Sequence, residues 1–279
     1  MHLYKFANPG RISLEDIPTS HPDSLDKKDA RKRFDELNDE LFELQDLMWG
    51  ARTHSVLMVL QGRDAAGKDG AVKQVAGALN PRGVRVVSFG VPTVEERQHD
   101  FLWRVHKEVP RAGEIALFNR SHYEDVLVVR VKKLAPQAVW KERFELINAF
   151  ERTLAQGNTL VLKYFLHISK EEQEERLLER EKDLNDAWKL NVEDWKQREQ
   201  WAEFTRANED AIGRCAAKGA PWIVVPADAK WYRNLVIAES LLEALRPFRK
   251  EWKRTLDKQG KLVRHDLREW RAAHKASPK

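Results

Sequence analysis

Apolar residues fall at Phe34, Leu37, Leu41, Leu44 and Met48, in steps of three and four. That spacing predicts an amphipathic helix from Leu25 to about Arg52, lying as an outer arm. The pattern then changes. Ser55–Leu60 is a short, unbroken apolar run with branched side chains, as expected of a parallel strand buried on both faces. Similar runs follow at Arg85–Phe89, Glu114–Phe118, Leu160–Ile168 and Pro221–Val225. Helical stretches separate them: Lys68–Leu79, Thr93 to about Val109, a start at Ser121, Pro136 through Leu154, Ser169 to about Glu181, and Trp231–Leu245. Three of these starts carry a capping box, Thr93 with Glu96, Ser121 with Glu124 and Ser169 with Glu172. Residues 1–24 contain Pro9, Gly10, Pro18 and Pro22 and predict irregular chain.

Strand and helix alternate, which implies a parallel sheet with helices on both faces. The expected fold is a three-layer α/β/α sandwich around a parallel five-stranded sheet. The expected organisation is an N-terminal segment and helical arm (1–54), one α/β domain (55–245) and a C-terminal tail (246–279). An insert at about 178–215 sets Trp188, Trp195 and Trp201 among basic residues. Asn185 and Asp186 interrupt it, which predicts two helices joined by a loop. It follows the fourth strand, so it projects from the sheet end that holds ligands in such folds. A lid is the functional reading; a solvated helical hairpin with tryptophan packing is the other.

A chain of 279 residues with 42% hydrophobic content can bury a full core. No apolar run approaches the ~18 residues of a spanning helix, and the first ten residues lack an apolar signal core. The single cysteine, Cys215, cannot form an internal disulfide. The expected location is a reducing cytoplasm. Net charge is +5. Residues 246–279 hold twelve Lys/Arg and four Asp/Glu, or +8, which leaves −3 for the rest. The basic character therefore belongs to the tail and carries no whole-protein argument for nucleic acid.

Gly62-Arg63-Asp64-Ala65-Ala66-Gly67-Lys68-Asp69-Gly70 contains G-x-x-x-x-G-K between a strand and a helix, the context in which this pattern cradles phosphates. The glycines permit the tight turn, and the loop N–H groups with the helix N-terminus form an anion nest. Lys68 adds a mobile positive charge. The Ser or Thr that ordinarily follows the lysine and holds Mg²⁺ is replaced by Asp69, which leaves Asp64 or Asp69 for the metal. The third strand runs into Asn119-Arg120-Ser121-His122-Tyr123-Glu124-Asp125, where an Asp would ordinarily stand at position 119. Arg120 is a candidate bidentate phosphate clamp. Glu124 reads equally as a helix cap, and His122 reads first as a structural histidine.

With these residues the sequence resembles the polyphosphate kinase 2 family. GRDAAGKDG (62–70), NPRGVRVVSFGVPT (80–93), FLWRVHKEVPRAGEIALFNRSHYEDVLVVRV (101–131), HISKEEQEERLLER (167–180) and PWIVVPADAKWYRN (221–234) carry the resemblance. It implies a P-loop kinase-like fold and phosphate transfer from inorganic polyphosphate to nucleotides with Mg²⁺, or Mn²⁺ in its place. The stretch NRSHYEDV is similar to the class III subgroup, whose acceptors are AMP and ADP. The resemblance implies that Gly62, Ala65, Ala66, Gly67, Lys68, Asp69 and Gly70 hold phosphate. Arg120, Arg176, Lys189 and Arg198 would contact it as well. Asp64 would hold the metal, Asp64, Lys68 and Arg120 would serve catalysis, and Asn119, Glu124 and Asp125 would lie by the nucleotide.

The long anionic substrate calls for a basic groove, with Lys73, Arg82 and Lys230 as further candidates for its walls. The expected partners are polyphosphate, AMP/ADP/ATP, guanine nucleotides as a further option, and a second copy of the chain. No membrane and no nucleic acid are expected. The alternatives are an ATP-dependent nucleotide kinase and a P-loop regulator that binds nucleic acid through Trp252 and Trp270 of the tail.

Overall fold

The structure, a computed structural model, describes residues 3–182 and 187–275. The elements are β1 (Tyr4–Phe6), α1 (Lys27–Ala51), β2 (Ser55–Gly62), α2 (Lys68–Gly77), β3 (Val84–Ser88), α3 (Trp103–His106), β4 (Ile115–Asn119) and α4 (Val128–Val131). After these come α5 (Gln137–Gln156), β5 (Thr159–His167), α6 (Lys170–Lys182), α7 (Val192–Glu199), α8 (Trp201–Cys215), β6 (Trp222–Pro226), α9 (Lys230–Leu245) and α10 (Arg249–Lys275). The interruption expected at Asn185 and Asp186 lies outside the described residues.

The sheet order is β1-β6-β5-β2-β4-β3, and every pair is parallel except β1 with β6. The sheet thus has six strands where five were expected. Tyr4, Lys5 and Phe6 pair antiparallel with Val224, Ile223 and Trp222. Three edge residues are too few for an alternating pattern to show.

β2 lies between β4 and β5, and its side chains feed two cores. Val56, Met58 and Leu60 face Leu37, Leu41 and Leu44 of α1 with Val236 and Leu241 of α9. Leu57 and Val59 face Phe144 and Ile147 of α5 with Ala207 and Ala211 of α8. β2, β4 and β6 are apolar almost throughout because both faces are covered. α1, expected as an outer arm, is one layer of the sandwich.

Two of the expected helices are much shorter. Thr93 and Glu96 form their reciprocal capping bonds, yet only a 3-10 turn, Glu96–Gln98, follows before α3. Ser121 Oγ accepts from the Tyr123 N–H and opens a second 3-10 turn, His122–Asp125. Glu124 does not cap it. Its carboxylate accepts from Gln61 Nε2 at 3.0 Å and Arg120 at 3.3 Å.

Candidate functional site

The carboxyl ends of β2 and β4 lie side by side, with Leu60 opposite Asn119. The chain goes from β2 out to one side and later returns on the other, so a crevice opens at these strand ends. Residues 62–70 cross it as a loop whose last turn starts α2. Ala65 (φ 62°) and Gly67 (φ 89°) hold left-handed backbone. The left-handed backbone at Gly67 favours glycine, and a Cβ there would sit 2.1 Å from the Arg233 guanidinium and displace it.

Two arginines brace the loop. Arg176 of α6 donates to Ala65 O at 3.0 Å and to Ala227 O and Asp228 O at 2.7 Å. Arg233 of α9 donates to Gly67 O at 3.0 Å. These bonds fix the loop through two of its carbonyls, Ala65 O and Gly67 O. Lys68 Nζ donates to Gly62 O and Arg63 O and lies 4.0 Å from Asp64 Oδ1. Burial, aided by Arg120, pulls its pKa down to about 8.

Arg120 follows β4 in left-handed backbone (φ 62°). It donates to Asp64 Oδ1 at 2.5 Å. Burial opposes its charge, but Glu124 and Asp64 more than offset this, and its pKa is raised. The turn behind it is pinned from the core. Tyr123 OH donates to Glu151 Oε1 at 2.8 Å, and Lys163 Nζ donates to Glu151 Oε2 at 2.5 Å. His122 is fully buried, with Nε2 3.2 Å from the same carboxylate. Burial pushes Glu151 up, yet Lys163 and His122 prevail and its pKa is lowered.

These elements enclose an open cavity of about 810 Å³. Seven basic side chains line it, Lys68, Arg120, Arg176, Arg180, Lys189, Lys230 and Arg233, against four acidic ones, Asp64, Asp69, Glu179 and Asp194. The excess of positive charge suits a polyanion. The acidic groups suit a hard cation at one end. Asp64 Oδ2 is buried with no hydrogen-bond partner. Asp69 accepts from Asn119 Nδ2 at 2.6 Å, which leaves the Asn119 amide oxygen for another ligand. Oxygen donors of this kind are what Mg²⁺ and Mn²⁺ require.

Of the residues singled out in the sequence, Asp64, Ala65, Gly67, Lys68, Asp69, Gly70, Asn119, Arg120, Arg176 and Lys189 line the cavity. Gly62 and Glu124 line a small pocket behind it, at Trp201. Three lie elsewhere. Ala66 is the buried residue within the loop, its Cβ close to Gly62. Asp125 is held by Arg143 at 3.0 Å, near Arg104, and burial raises its pKa. Arg198 of α7 is bonded to Lys170 O and Glu174, joining α7 to α6. Among the wall candidates Lys230 lines the cavity, whereas Lys73 and Arg82 are exposed and outside its lining.

Sequence reasoning missed Arg233, Arg180 and Asp194. One signal was present. Lys230 and Arg233 sit in the first turn of α9, where positive charge opposes the helix dipole. Arg180 and Asp194 form an ion pair at 3.1 Å between α6 and α7, a contact made only by folding.

The sequence profile of the family described as Polyphosphate kinase 2 matches residues 24–253. An AMP/ADP-polyphosphate phosphotransferase of Meiothermus ruber is 46% identical over 247 residues, 88% of this chain and 92% of that protein. An ADP-polyphosphate phosphotransferase of Rhodopseudomonas palustris is 36% identical over 229 residues, 78% of this chain and 79% of that protein. The crystal structure of polyphosphate kinase 2 from Arthrobacter aurescens superposes with a TM-score of 0.78 at 35% identity, covering 87% of this chain and 92% of that one.

Proposed function

Because the chain belongs to the polyphosphate kinase 2 family, we propose that it moves the terminal phosphoryl group of inorganic polyphosphate onto AMP and ADP. The observation that carries this reading is the cavity. It gathers seven basic side chains around a phosphate loop and sets Asp64 between Lys68 and Arg120 at one end.

An acceptor phosphate oxygen is already ionised, so the site needs no strong general base. That oxygen attacks the terminal phosphorus of the donor chain. A new P–O bond forms, the bridging P–O bond breaks, and the shortened polyphosphate leaves with the electron pair. Positioning and charge neutralisation then supply the rate. Lys68 and the loop N–H groups hold the terminal phosphate of the donor. Arg120, freed from part of its contact with Asp64, meets the charge that spreads over the transferring group. Lys189, Lys230 and Arg180 hold more distant phosphates.

Asp64, with Asp69 and Asn119 beside it, would hold Mg²⁺ or Mn²⁺, and a bound cation would add charge neutralisation at the phosphates. Glu124, tied to Gln61 and Arg120, lies near the acceptor in this reading. Within the insert at 178–215, α7, whose Asp194 lines the cavity, acts as the lid, while α8 packs in the core. No helix among the described residues is long and apolar enough to cross a membrane, and we place the enzyme in the cytoplasm.

The test is to supply AMP, Mg²⁺ and long-chain polyphosphate without ATP and to separate the products by chromatography. ADP followed by ATP is the expected result. ADP without ATP would restrict the acceptor to AMP. Product that forms only with ATP as donor would replace this reading with an ordinary nucleotide kinase.

A further inference from the structure

α10 runs along α1 and then leaves the body. Its first turns are anchored. Trp252 is fully buried and donates to His54 Nδ1 at 3.2 Å, and Leu256 lies over Gly50. Arg246 and Arg249, at its root, pair with Glu40 and Glu43 of α1. From 261 to 274 every residue is exposed. A helical segment of that length spans about 20 Å and is marginal in water without a packing partner.

This exposed part is not polar all round. Val263, Leu267 and Trp270 continue the line of Trp252 and Leu256 at steps of three, four and seven, with Leu262 beside them. Leu262 is 61% exposed and Trp270 60%. The same stripe that docks the helix at its root therefore continues with nothing against it among the described residues. Arg264, Arg268 and Arg271 flank it. The family profile ends at residue 253, before this part begins.

A surface of matching character stands on α1. Leu37, Leu41, Leu44 and Met48 face the core, which turns Asp35, Asp39, Phe42, Glu43 and Asp46 to solvent. This face is acidic, with Phe42 (44% exposed) as an apolar point at its middle. The root of α10 already meets its edge through Arg249 and Glu43. The arm carries Lys261, Arg264, Arg268 and Arg271 against Asp266 and Glu269, so two α10 arms packed on each other would oppose two surfaces of net positive charge. An arm on the α1 face sets arginine against aspartate and covers Phe42.

We propose that the arm 261–274 docks on the acidic outer face of α1 in a second copy of this chain. The exchange is reciprocal in a two-fold dimer, because each copy offers one arm and one face. Its strength falls with salt, since the flanking pairs are at the surface.

The experiment uses full-length chains. Sedimentation velocity of the wild type should show a dimer, and Arg264→Glu with Arg268→Glu should raise its Kd about tenfold or more. Val263→Cys protein mixed with Phe42→Cys protein should form an intermolecular disulfide faster than either alone, Cys215 being buried. Faster self-linking of Val263→Cys would mean that arms pair with each other and would overturn the proposal. A wild type that stays monomeric would overturn it too, as would a monomer whose arm is protected only on vesicles of anionic lipid. Should the cysteine variants misfold, Asp39→Lys with Asp46→Lys mixed with the arm charge reversals should restore the dimer. No restoration would count against the docking surface. None of these outcomes depends on the reaction assigned to the cavity.

Discussion

Lys68 carries a charge in a place that disfavours it. The unfolded chain holds that proton up to about pH 10.5 and the folded chain only to about pH 8. Between these values the unfolded state binds more protons, so this group makes folding stability rise with pH across that window. Below it the charge remains and costs stability, as is usual where a site must meet an anion. Activity follows the opposite sign. kcat/KM for polyphosphate should fall above about pH 8, because it reports the free enzyme. kcat should hold to higher pH, because bound phosphate favours the proton. Parallel limbs in the two profiles would remove Lys68 from phosphate binding. Asp64 makes a second prediction. Asp64→Asn keeps a hydrogen-bond acceptor for Arg120 but loses the ionised oxygen, so Mn²⁺ binding followed by magnetic resonance should weaken at least tenfold. Unchanged Mn²⁺ affinity would move the metal to Asp69.

The elements hold these residues in place, and here sequence legibility divides sharply. The five parallel strands, the phosphate loop and the helices α1, α5 and α9 could be read because each depends on a local pattern: a branched apolar run, two glycines with a lysine, a period near 3.6; α10, expected only as a tail, was not. The turn after β4 could not be read either. Its capping spacing, Ser121 with Glu124, is genuine in sequence, but Gln61 and Arg120 take the Glu124 carboxylate and Glu151 takes His122 and Tyr123. Those partners are distant in sequence, so tertiary contacts override the local signal. The same holds for Arg198, basic and on the insert, yet bonded back to α6. Glu151→Gln tests the pinning of the turn. It leaves Lys163 buried without its carboxylate, and the expected loss is about 3–5 kcal/mol in a denaturant titration. In the wild type the lowered Glu151 pKa gives stability that is present above about pH 4.5 and is lost as pH falls through the folded value. The variant should lack that acid limb. Gly67→Ala tests the loop itself: the added Cβ meets Arg233, so polyphosphate turnover should fall by at least about tenfold, whereas Gly77→Ala, with open space at its Cβ, should leave it unchanged.

At the scale of the whole molecule the charge is divided between two ends. The cavity lies at the carboxyl ends of the strands, where β2 runs into the phosphate loop. α10 is fastened at the other end, where Trp252 meets His54 just before β2 begins. The eight residues of β2 set these ends about 26 Å apart, well beyond a Debye length of about 8 Å at physiological salt. The tail's +8 therefore contributes little field at the reacting phosphates, although it accounts for the basic pI of 9.2. Cutting the chain after Gly260 keeps Trp252 and Leu256 in place and should leave kcat/KM for a short polyphosphate within about twofold. The slope of log Kd against log salt should also be unchanged, because the cavity's cations, not the tail's, release the counterions. A truncated chain that loses most of that slope would mean the polyanion also runs along α10. The basic groove would then continue around the body, and the arm would be part of the substrate path.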